Sequence, residues 1–299
     1  MAMTLHCFGV STPTGEALHR LADLTHVGYS RKPPSDSGWL HAADLNDPSS
    51  FHPFGFPDAP AIWISFAPIW LFAPFLDHLA THHPERLHGL NGVIACSSSS
   101  SITKRFAANN FDHNLVTSLI SAENQLIATC HRLSVTCCIL QPTLIYGDVG
   151  PYGDLNLSRL LRLMSRVPVL PLPKESGLRQ PIHAYQLASV ALLIANQIIQ
   201  EGTLPNLSER IALGGDSTLT YREMLLALKD AQSSDHPARS CRFLSIPNRL
   251  FFLMAAPLLL RSPKAFEAVL RMGANLSGFT PVHQLLGSEP QPFPAMLHF

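Results

Sequence analysis

The sequence predicts an α/β fold in which a parallel sheet carries helices on both faces. Short apolar runs alternate with segments of helical periodicity through residue 146, and polar residues follow the ends of several of these runs. Such alternation favours parallel strands, because each crossover between parallel neighbours needs a connecting helix. Beyond residue 146 the pattern is mostly helical. We therefore expect a Rossmann-like doubly wound parallel sheet with a smaller, mainly helical C-terminal lobe.

The first apolar run, residues 5–8, meets a turn bounded by two glycines and then a helical pattern. Gly9 permits a tight turn, and Gly15 lets the helix lie close to the sheet. A helix N-terminus offers free N–H groups and a positive dipole end to a pyrophosphate. The usual fingerprint has a third glycine where this chain has Thr12. The turn predicts a dinucleotide site, with an ordinary strand–turn–helix as the alternative. Its residues are Gly9, Ser11, Thr12, Pro13, Thr14 and Gly15.

The second strand ends in Ser30, Arg31 and Lys32, with no acidic residue. In dinucleotide-binding folds this strand end meets the adenosine ribose. An acidic residue there binds a 2′-hydroxyl, whereas an arginine accommodates a 2′-phosphate. Arg31 therefore favours NADP over NAD, and a solvated loop arginine is the alternative. Asp44 and Leu45 follow the next short strand, where Asp44 either caps a turn or lies beside an adenine.

Further patterns predict strands at 61–66, 90–96 and 134–140, and helices at 69–82 and 114–132. The strand at 90–96 runs directly into five serines, residues 97–101. Hydroxyl groups at the carboxyl end of a strand stand where ligands bind in doubly wound sheets, so a linker is the weaker interpretation. Past residue 150, helical patterns lie near 155–165, 185–200, 220–231, 247–260 and 263–273, and strands near 167–170 and 210–213.

Composition restricts the classes of function. Basic and acidic side chains number 21 each in 299 residues, so the formal charge is zero and nothing favours nucleic acid as a partner. No apolar run predicts an integral membrane segment, although residues 251–260 are a candidate for peripheral membrane contact. The six cysteines form no Cys-x-x-Cys and indicate a reducing, cytoplasmic location. His78 and His82 have metal-ligand spacing, but no third ligand is evident and no metal is expected.

Taken in order, these segments resemble the NAD-dependent epimerase/dehydratase family of extended and atypical short-chain dehydrogenase/reductases. The likeness covers almost the whole chain through collinear segments at 9–15, 30–31, 44–45, 97–99, 122–126, 141–147, 179–188, 214–224 and 286–293. It implies an NAD(P)-binding Rossmann domain over residues 1–150 and a mainly helical substrate-side lobe over 151–299, partly interleaved with the first. It also implies cofactor contacts at Ser97 and Pro142.

The family's usual chemistry needs a Tyr-x-x-x-Lys pair, in which the lysine lowers the pKa of the tyrosine and holds the nicotinamide ribose. The tyrosines at 29, 146, 152, 185 and 221 are each followed, four residues later, by a residue other than lysine. If Glu123 matches the glutamate that follows the family's pair, Leu115 and Leu119 occupy the Tyr and Lys positions. Two apolar side chains cannot relay a proton.

A serine remains where the resemblance places the family's catalytic hydroxyl, at Ser98 or Ser99. A lone hydroxyl lacks an adjacent base, and Lys104, Asp112 and His113 are the nearby candidates to replace the missing groups.

Two functions stay open at this point. One is an NAD(P)-binding, epimerase/dehydratase-like protein that acts on a nucleotide-sugar-like substrate through a non-standard site. The other is a non-catalytic dinucleotide-binding or scaffold protein that has lost oxidoreductase activity. On the substrate side, Arg179 and His183 are the candidates to hold anionic groups. We expect a monomer or homodimer.

Overall fold

The structure is a computed structural model that describes residues 3–34, 37–55, 59–105, 109–204, 207–257 and 262–295. The strands are β1 Thr4–Phe8, β2 His26–Ser30, β3 Leu40–Ala42, β4 Ala61–Ser65, β5 Leu90–Cys96, β6 Thr136–Pro142, β7 Ile145–Tyr146, β8 Val169–Pro173, β9 Leu178–Arg179, β10 Ile182–His183, β11 Arg210–Gly214, β12 Leu219–Thr220, β13 Arg242–Ile246 and β14 Thr280–Pro281. The α-helices are α1 Pro13–Leu21, α2 Ile69–His82, α3 Ser100–Thr103, α4 Asn110–Leu133, α5 Leu155–Met164, α6 Ala184–Glu201, α7 Tyr221–Asp230, α8 Asn248–Ala255, α9 Pro263–Leu270 and α10 Val282–Leu286.

The main sheet has eight strands in the order β14-β11-β6-β5-β4-β1-β2-β3, and neighbouring strands run parallel. From β1 the chain moves outward through β2 and β3, and then returns to the other side of β1 at β4. The strand order therefore reverses between β1 and β4. In open parallel sheets a ligand crevice forms at such a reversal, outside the carboxyl ends of the strands.

Helices cover both faces of this sheet, as the sequence predicted. One face packs against α1 and α6, with Leu18 and Ala188 fully buried there. The other packs against α2 and α4 and is rich in aromatic rings, among them Phe8, Trp63 and Phe75. Because successive side chains of a strand point to opposite faces, each central strand must be apolar on both sides. The short continuous apolar runs of the sequence meet that requirement.

Local signals set the helix ends. The Asn109 side chain accepts a hydrogen bond from the N–H of Asp112, so α4 begins four residues earlier than its apolar spacing predicted. Helix α6 begins with a capping box between His183 and Gln186. It ends at Gly202, whose φ of +71° is the left-handed conformation that glycine adopts at low cost.

Beyond residue 150 the chain forms helices and short strand pairs around a separate apolar cluster that includes Met164, Leu172 and Met224. Strands β11 and β14 from this half join the edge of the main sheet. The division into units at residue 150 stays a prediction. The predicted helix at 247–260 is shorter in the structure, where α8 ends at Ala255, and residues 258–260 lie outside the described ranges.

Three further observations concern the described residues alone. No helix there has the length and apolar character needed to cross a bilayer. No three His, Cys, Asp or Glu side chains there are arranged to hold a metal ion. The six cysteines are free thiols.

Glu123 of α4 ties the helix to the sheet. Its side chain is only 3% exposed. It accepts hydrogen bonds from Ser97 Oγ at 2.5 Å and from Gln141 Nε2 at 3.0 Å, and it pairs with Arg210 Nε at 3.1 Å. A buried carboxylate is stable only when such donors replace water. These contacts join α4 to the ends of β5 and β6 and to β11.

We predict that Glu123→Ala lowers the free energy of unfolding by about 3 kcal/mol, because Gln141 and Arg210 lose their shared acceptor. Urea unfolding followed by circular dichroism measures this change. The matched control is Glu85→Ala, since the Glu85 side chain is 61% exposed; its expected loss is below about 0.5 kcal/mol. Equal losses in the two variants would show that the buried network contributes little.

Candidate dinucleotide site

The turn between β1 and α1 requires glycine at both of its ends. Gly9 has φ of +73°, and a Cβ at this position would lie 2.3 Å from the backbone nitrogen of Ala67. A Cβ on Gly15 would lie 2.6 Å from Cα of Val10. Any side chain at either position would force the backbones apart. The structure therefore confirms the tight turn at Gly9 and the close approach at Gly15 that the sequence predicted.

Thr12 replaces the middle glycine of the usual fingerprint by folding onto the turn itself. Its hydroxyl donates to the carbonyl of Gly9 at 2.8 Å and accepts from the N–H of Gly15 at 3.1 Å. Pro13, the first residue of α1, has no N–H to offer. Gly15 donates its N–H to Thr12, so of the first three residues of α1 only Thr14 is left with an N–H that Thr12 does not bind. The helix N-terminus therefore presents fewer donors to a pyrophosphate than an uncapped helix would.

A cavity of about 850 Å³ opens where the strand order reverses, at the carboxyl ends of β1, β2 and β4. Seven of the predicted cofactor residues line it: Gly9, Ser11, Thr12, Ser30, Arg31, Asp44 and Leu45. Five others are not among its lining residues: Pro13, Thr14, Gly15, Ser97 and Pro142. Their cofactor contacts stay predictions.

Sequence reasoning missed a second side of this cavity. Phe66, Ala67 and Pro68 line it directly after β4, together with Leu71 on the first turn of α2. Arg31 and Asp44 were selected because ligands bind outside the carboxyl ends of the strands in such sheets. The same reasoning applied to β4 would have selected these residues. Tyr29, likewise missed, forms part of the wall with its hydroxyl already engaged. That oxygen accepts from the N–H of Phe54 at 2.9 Å and lies 2.8 Å from Nδ1 of His6.

The rim of the cavity at the ends of β2 and β3 carries charge. Arg31 and Lys32 are both exposed cations. The Asp44 carboxylate accepts from the backbone N–H of Asn46 at 2.9 Å and from its side-chain amide at 3.1 Å. These bonds lower the pKa of Asp44, with a smaller contribution from the charge of Arg31. Asp44 thus caps a turn, one of the two roles the sequence left open, while its adenine contact stays a prediction.

Leucines fill the positions that the resemblance assigns to the catalytic tyrosine and lysine. Leu119 is 2% exposed and belongs to the apolar cluster between the sheet, α2 and α4. Leu115, one turn earlier, packs against the same cluster. Both lie on the helix face that carries Glu123, because residues four apart share a face. That face meets the end of β5 through Ser97. At the two assigned positions, Leu115 and Leu119 therefore provide no group that could relay a proton.

The serines after β5 have structural partners. Ser97 donates to Glu123, and Ser98 Oγ accepts from the N–H of Ser100 at 3.1 Å. The N–H of Ser99 donates to the carbonyl of Pro142 at 2.9 Å, which joins the chain after β5 to the end of β6. The catalytic roles of Ser98 and Ser99 stay predictions.

The nearby groups that the sequence offered as substitutes are engaged or distant. Lys104 Nζ donates to the Asp112 carboxylate at 2.9 Å, and the Arg271 guanidinium and the Asn109 amide also bond to this carboxylate. Burial alone would raise the pKa of Asp112, but the hydrogen bonds from Asn109 and Lys104 and the charge of Arg271 hold it at about 2. His113, also in α4, is exposed to solvent. Lys104 therefore neutralises a buried anion.

Solved structures share this arrangement of strands and helices. The chain has the fold of the nucleotide-sugar epimerases. A nucleoside-diphosphate-sugar epimerase from Staphylococcus aureus is 16% identical, covers 99% of each chain and gives a TM-score of 0.59. UDP-glucuronic acid 4-epimerase from Bacillus cereus, solved with NAD, is 13% identical over 92% of each chain, with a TM-score of 0.57. RMD from Pseudomonas aeruginosa, complexed with NADPH, is 13% identical over 97% of this chain and 94% of its own, with a TM-score of 0.60. No family model matches the sequence, and no curated protein matches it.

Within this epimerase fold, Arg179 is held by protein groups. It is 7% exposed and donates to the carbonyl oxygens of Leu178 and Ala274 at 2.7 Å, and to that of Arg271. Its guanidinium also lies 5.1 Å from the centre of the Tyr221 ring. These contacts explain a buried cation without an anionic substrate. The substrate role of Arg179 stays a prediction, and these contacts do not support it.

His183 has a similar structural role at the start of α6. Its Nδ1 accepts from the N–H of Tyr185 at 3.2 Å, and the ring is 8% exposed. Burial lowers the pKa of His183 to about 4, with a smaller opposing effect from Asp148. A neutral imidazole is a poor partner for an anion at neutral pH. Its substrate role also stays a prediction.

We predict that protonation of His183 destabilises the fold as pH falls. The pKa of the folded-state imidazole is about 4, below its ordinary value of 6.5, so the unfolded chain binds the proton more readily. The stability that neutral His183 contributes is complete above pH 6.5 and is lost as pH falls toward 4. Between about pH 7 and pH 5 the expected loss is about 2 kcal/mol from this residue.

Urea unfolding of the native chain and of His183→Asn at both pH values measures the effect, because asparagine also caps helices but does not titrate. The variant should lose about 2 kcal/mol less than the native chain over this interval. His6, whose pKa burial also lowers to about 4, remains in both proteins and cancels in the comparison. An unchanged pH slope in the variant would contradict the prediction.

Proposed function

We propose that this chain binds a nicotinamide dinucleotide, with NADP preferred to NAD, and that it has lost the Tyr–Lys hydride-transfer chemistry of the epimerase fold. The observation that carries the proposal is the cavity at the strand reversal, with Gly9 at its floor and Arg31 and Lys32 at its rim. Both the B. cereus epimerase and RMD were solved with a nicotinamide dinucleotide, NAD in one and NADPH in the other.

The residues fit the adenosine diphosphate half of such a ligand. The missing Cβ of Gly9 lets the loop lie against the backbone of Ala67, and both residues line the cavity. Leu45, Phe66 and Leu71 provide apolar lining. Two cations at the end of β2 suit a 2′-phosphate, because guanidinium and ammonium groups bind phosphate oxygens through charge-assisted hydrogen bonds.

The residues fit the nicotinamide half less well. The nicotinamide ring would supply hydride transfer when the dinucleotide is bound, but this transfer needs a protein group that moves a proton to or from the substrate oxygen. Leu115 and Leu119 provide no such group, and Lys104 is paired with Asp112. These observations favour a dinucleotide-binding or scaffold protein over an active epimerase or dehydratase. We also propose that its small-molecule partner is nucleotide-sugar-like. The protein would be a monomer or homodimer and would be located in the cytoplasm.

We predict that NADPH binds more tightly than NADH and that Arg31→Ala reduces this difference. Removal of one charge-assisted contact to the 2′-phosphate should weaken NADPH binding about tenfold and change NADH binding less than about twofold. Titration calorimetry with both nucleotides measures the two affinities. The matched control is Arg166→Ala, an exposed arginine that does not line the cavity. Equal weakening of both nucleotides would assign Arg31 to another part of the ligand, and no binding of either would end the dinucleotide proposal.

We also predict that the chain loaded with NAD leaves UDP-glucose and UDP-glucuronic acid unchanged, because no proton relay faces the nicotinamide position. Chromatography of the nucleotide sugars after prolonged incubation measures conversion. The control is Ser98→Ala together with Ser99→Ala, which should match the native chain at background. Conversion by the native chain that these substitutions abolish would instead support the non-standard catalytic site.

A further inference from the structure

Helix α8 presents an apolar face to solvent. Leu250, Leu253 and Met254 are 49%, 70% and 60% exposed, whereas Phe251 and Ala255 are buried. Residues three and four apart share one face of a helix, so the three exposed side chains lie together and the two buried ones anchor the opposite side. Exposed single hydrophobic residues are common in proteins, but three on one short helix form a patch.

The preceding strand pair adds exposed apolar side chains. Leu244 in β13 is 54% exposed, and Val169 in β8 is 45% exposed. In the parallel pairing of these strands, Leu244 stands opposite Pro171 and Arg242 stands opposite Val169. Paired residues of neighbouring strands point to the same side, so these four share one surface of the strand pair.

Positive charge is concentrated in this part of the sequence. Residues 236–266 contain five cations and no aspartate or glutamate: Arg239, Arg242, Arg249, Arg261 and Lys264. The chain as a whole is neutral, so this excess is local. Arg249 lies on the apolar face of α8, one turn before Leu253, and both Arg242 and Arg249 are exposed. In the part of the chain that the structure describes, neither forms an ion pair.

We propose that α8 and the β8–β13 surface rest on a membrane that contains anionic lipids, as a peripheral contact. Apolar side chains exposed on a helix enter the boundary between head groups and acyl chains, and basic residues beside them add attraction to anionic lipids. Here Arg249 lies on α8 and Arg242 on β13. The arginines attract the anionic head groups, and the leucines and methionine enter the boundary region.

A second copy of the chain fits this surface poorly. A symmetric contact places the same patch against itself, so the excess positive charge of one copy would lie against that of the other. Like charges brought together without an anion oppose association. An anionic lipid surface supplies the missing negative charge and accepts the apolar side chains as well.

Vesicle co-sedimentation of the full chain tests this proposal. Vesicles of phosphatidylcholine alone are compared with vesicles in which about one third of the lipid is phosphatidylglycerol. We expect binding to the anionic vesicles, with much weaker binding to the neutral ones and with release by salt. The double variant Leu253→Asn with Met254→Asn should weaken this binding at least about tenfold, since two apolar side chains no longer enter the interface. Arg249→Gln should weaken it about fivefold.

Matched controls are Leu155→Asn, whose leucine is 69% exposed on α5, and Arg166→Gln. Both should bind vesicles like the native chain, and circular dichroism verifies that every variant is folded. Absence of binding to anionic vesicles, equal binding to both vesicle types, or unchanged binding by the double variant would each overturn the proposal. A native dimer in gel filtration that the double variant converts to a monomer would also overturn it, because the patch would then be a contact between copies.

Discussion

The buried carboxylate of Glu123 sets the position of α4 against the sheet, and the positions of Leu115 and Leu119 follow from it. Ser97, Gln141 and Arg210 all donate to it, so one anion fixes the helix against the ends of β5 and β6 and against β11. A buried carboxylate tolerates little displacement, because each hydrogen bond that it loses leaves part of its charge with neither water nor a protein donor. With Glu123 fixed, the residues one and two turns earlier on the same face are fixed as well. Those residues are Leu119 and Leu115, so this face of the helix extends the apolar core.

The sheet, its helices and one side of the cavity could be predicted from the sequence because they depend on local patterns. Apolar runs and helical spacing marked the elements, and the binding of ligands outside the carboxyl ends of strands marked Arg31 and Asp44. The roles of Arg179 and Lys104 could not be predicted in this way. Arg179 is held by carbonyl groups of Ala274 and Arg271, more than ninety residues further along the chain. Lys104 shares Asp112 with Arg271, which lies 159 residues after Asp112 in the sequence. No local pattern tells a buried ion pair from a free cation.

The first turn shows how a loop can keep its shape while its chemistry changes. Gly9 and Gly15 preserve the close backbone contacts that the turn requires. Between them, Thr12 satisfies an N–H and a carbonyl of the turn with its own hydroxyl. That arrangement stabilises the protein in the absence of a ligand, because the helix N-terminus is already capped. It also leaves less for a pyrophosphate to gain, so affinity must come to a larger extent from the adenosine end. In the complex proposed above, the charged rim formed by Arg31 and Lys32 lies at that end of the cavity.

The same long-range contacts bear on the exposed face of α8. Residues 271–274, which follow α9, are held by Arg179 through two carbonyl groups, and the Arg271 side chain pairs with Asp112 at the start of α4. Phe251 and Ala255 bury the inner side of α8. The segment that carries the apolar patch is thus fixed to the body of the protein at both its inner face and its end. Leu253 and Met254 are exposed on a helix whose opposite side is anchored by Phe251 and Ala255. An external surface can cover these two side chains without displacing the helix.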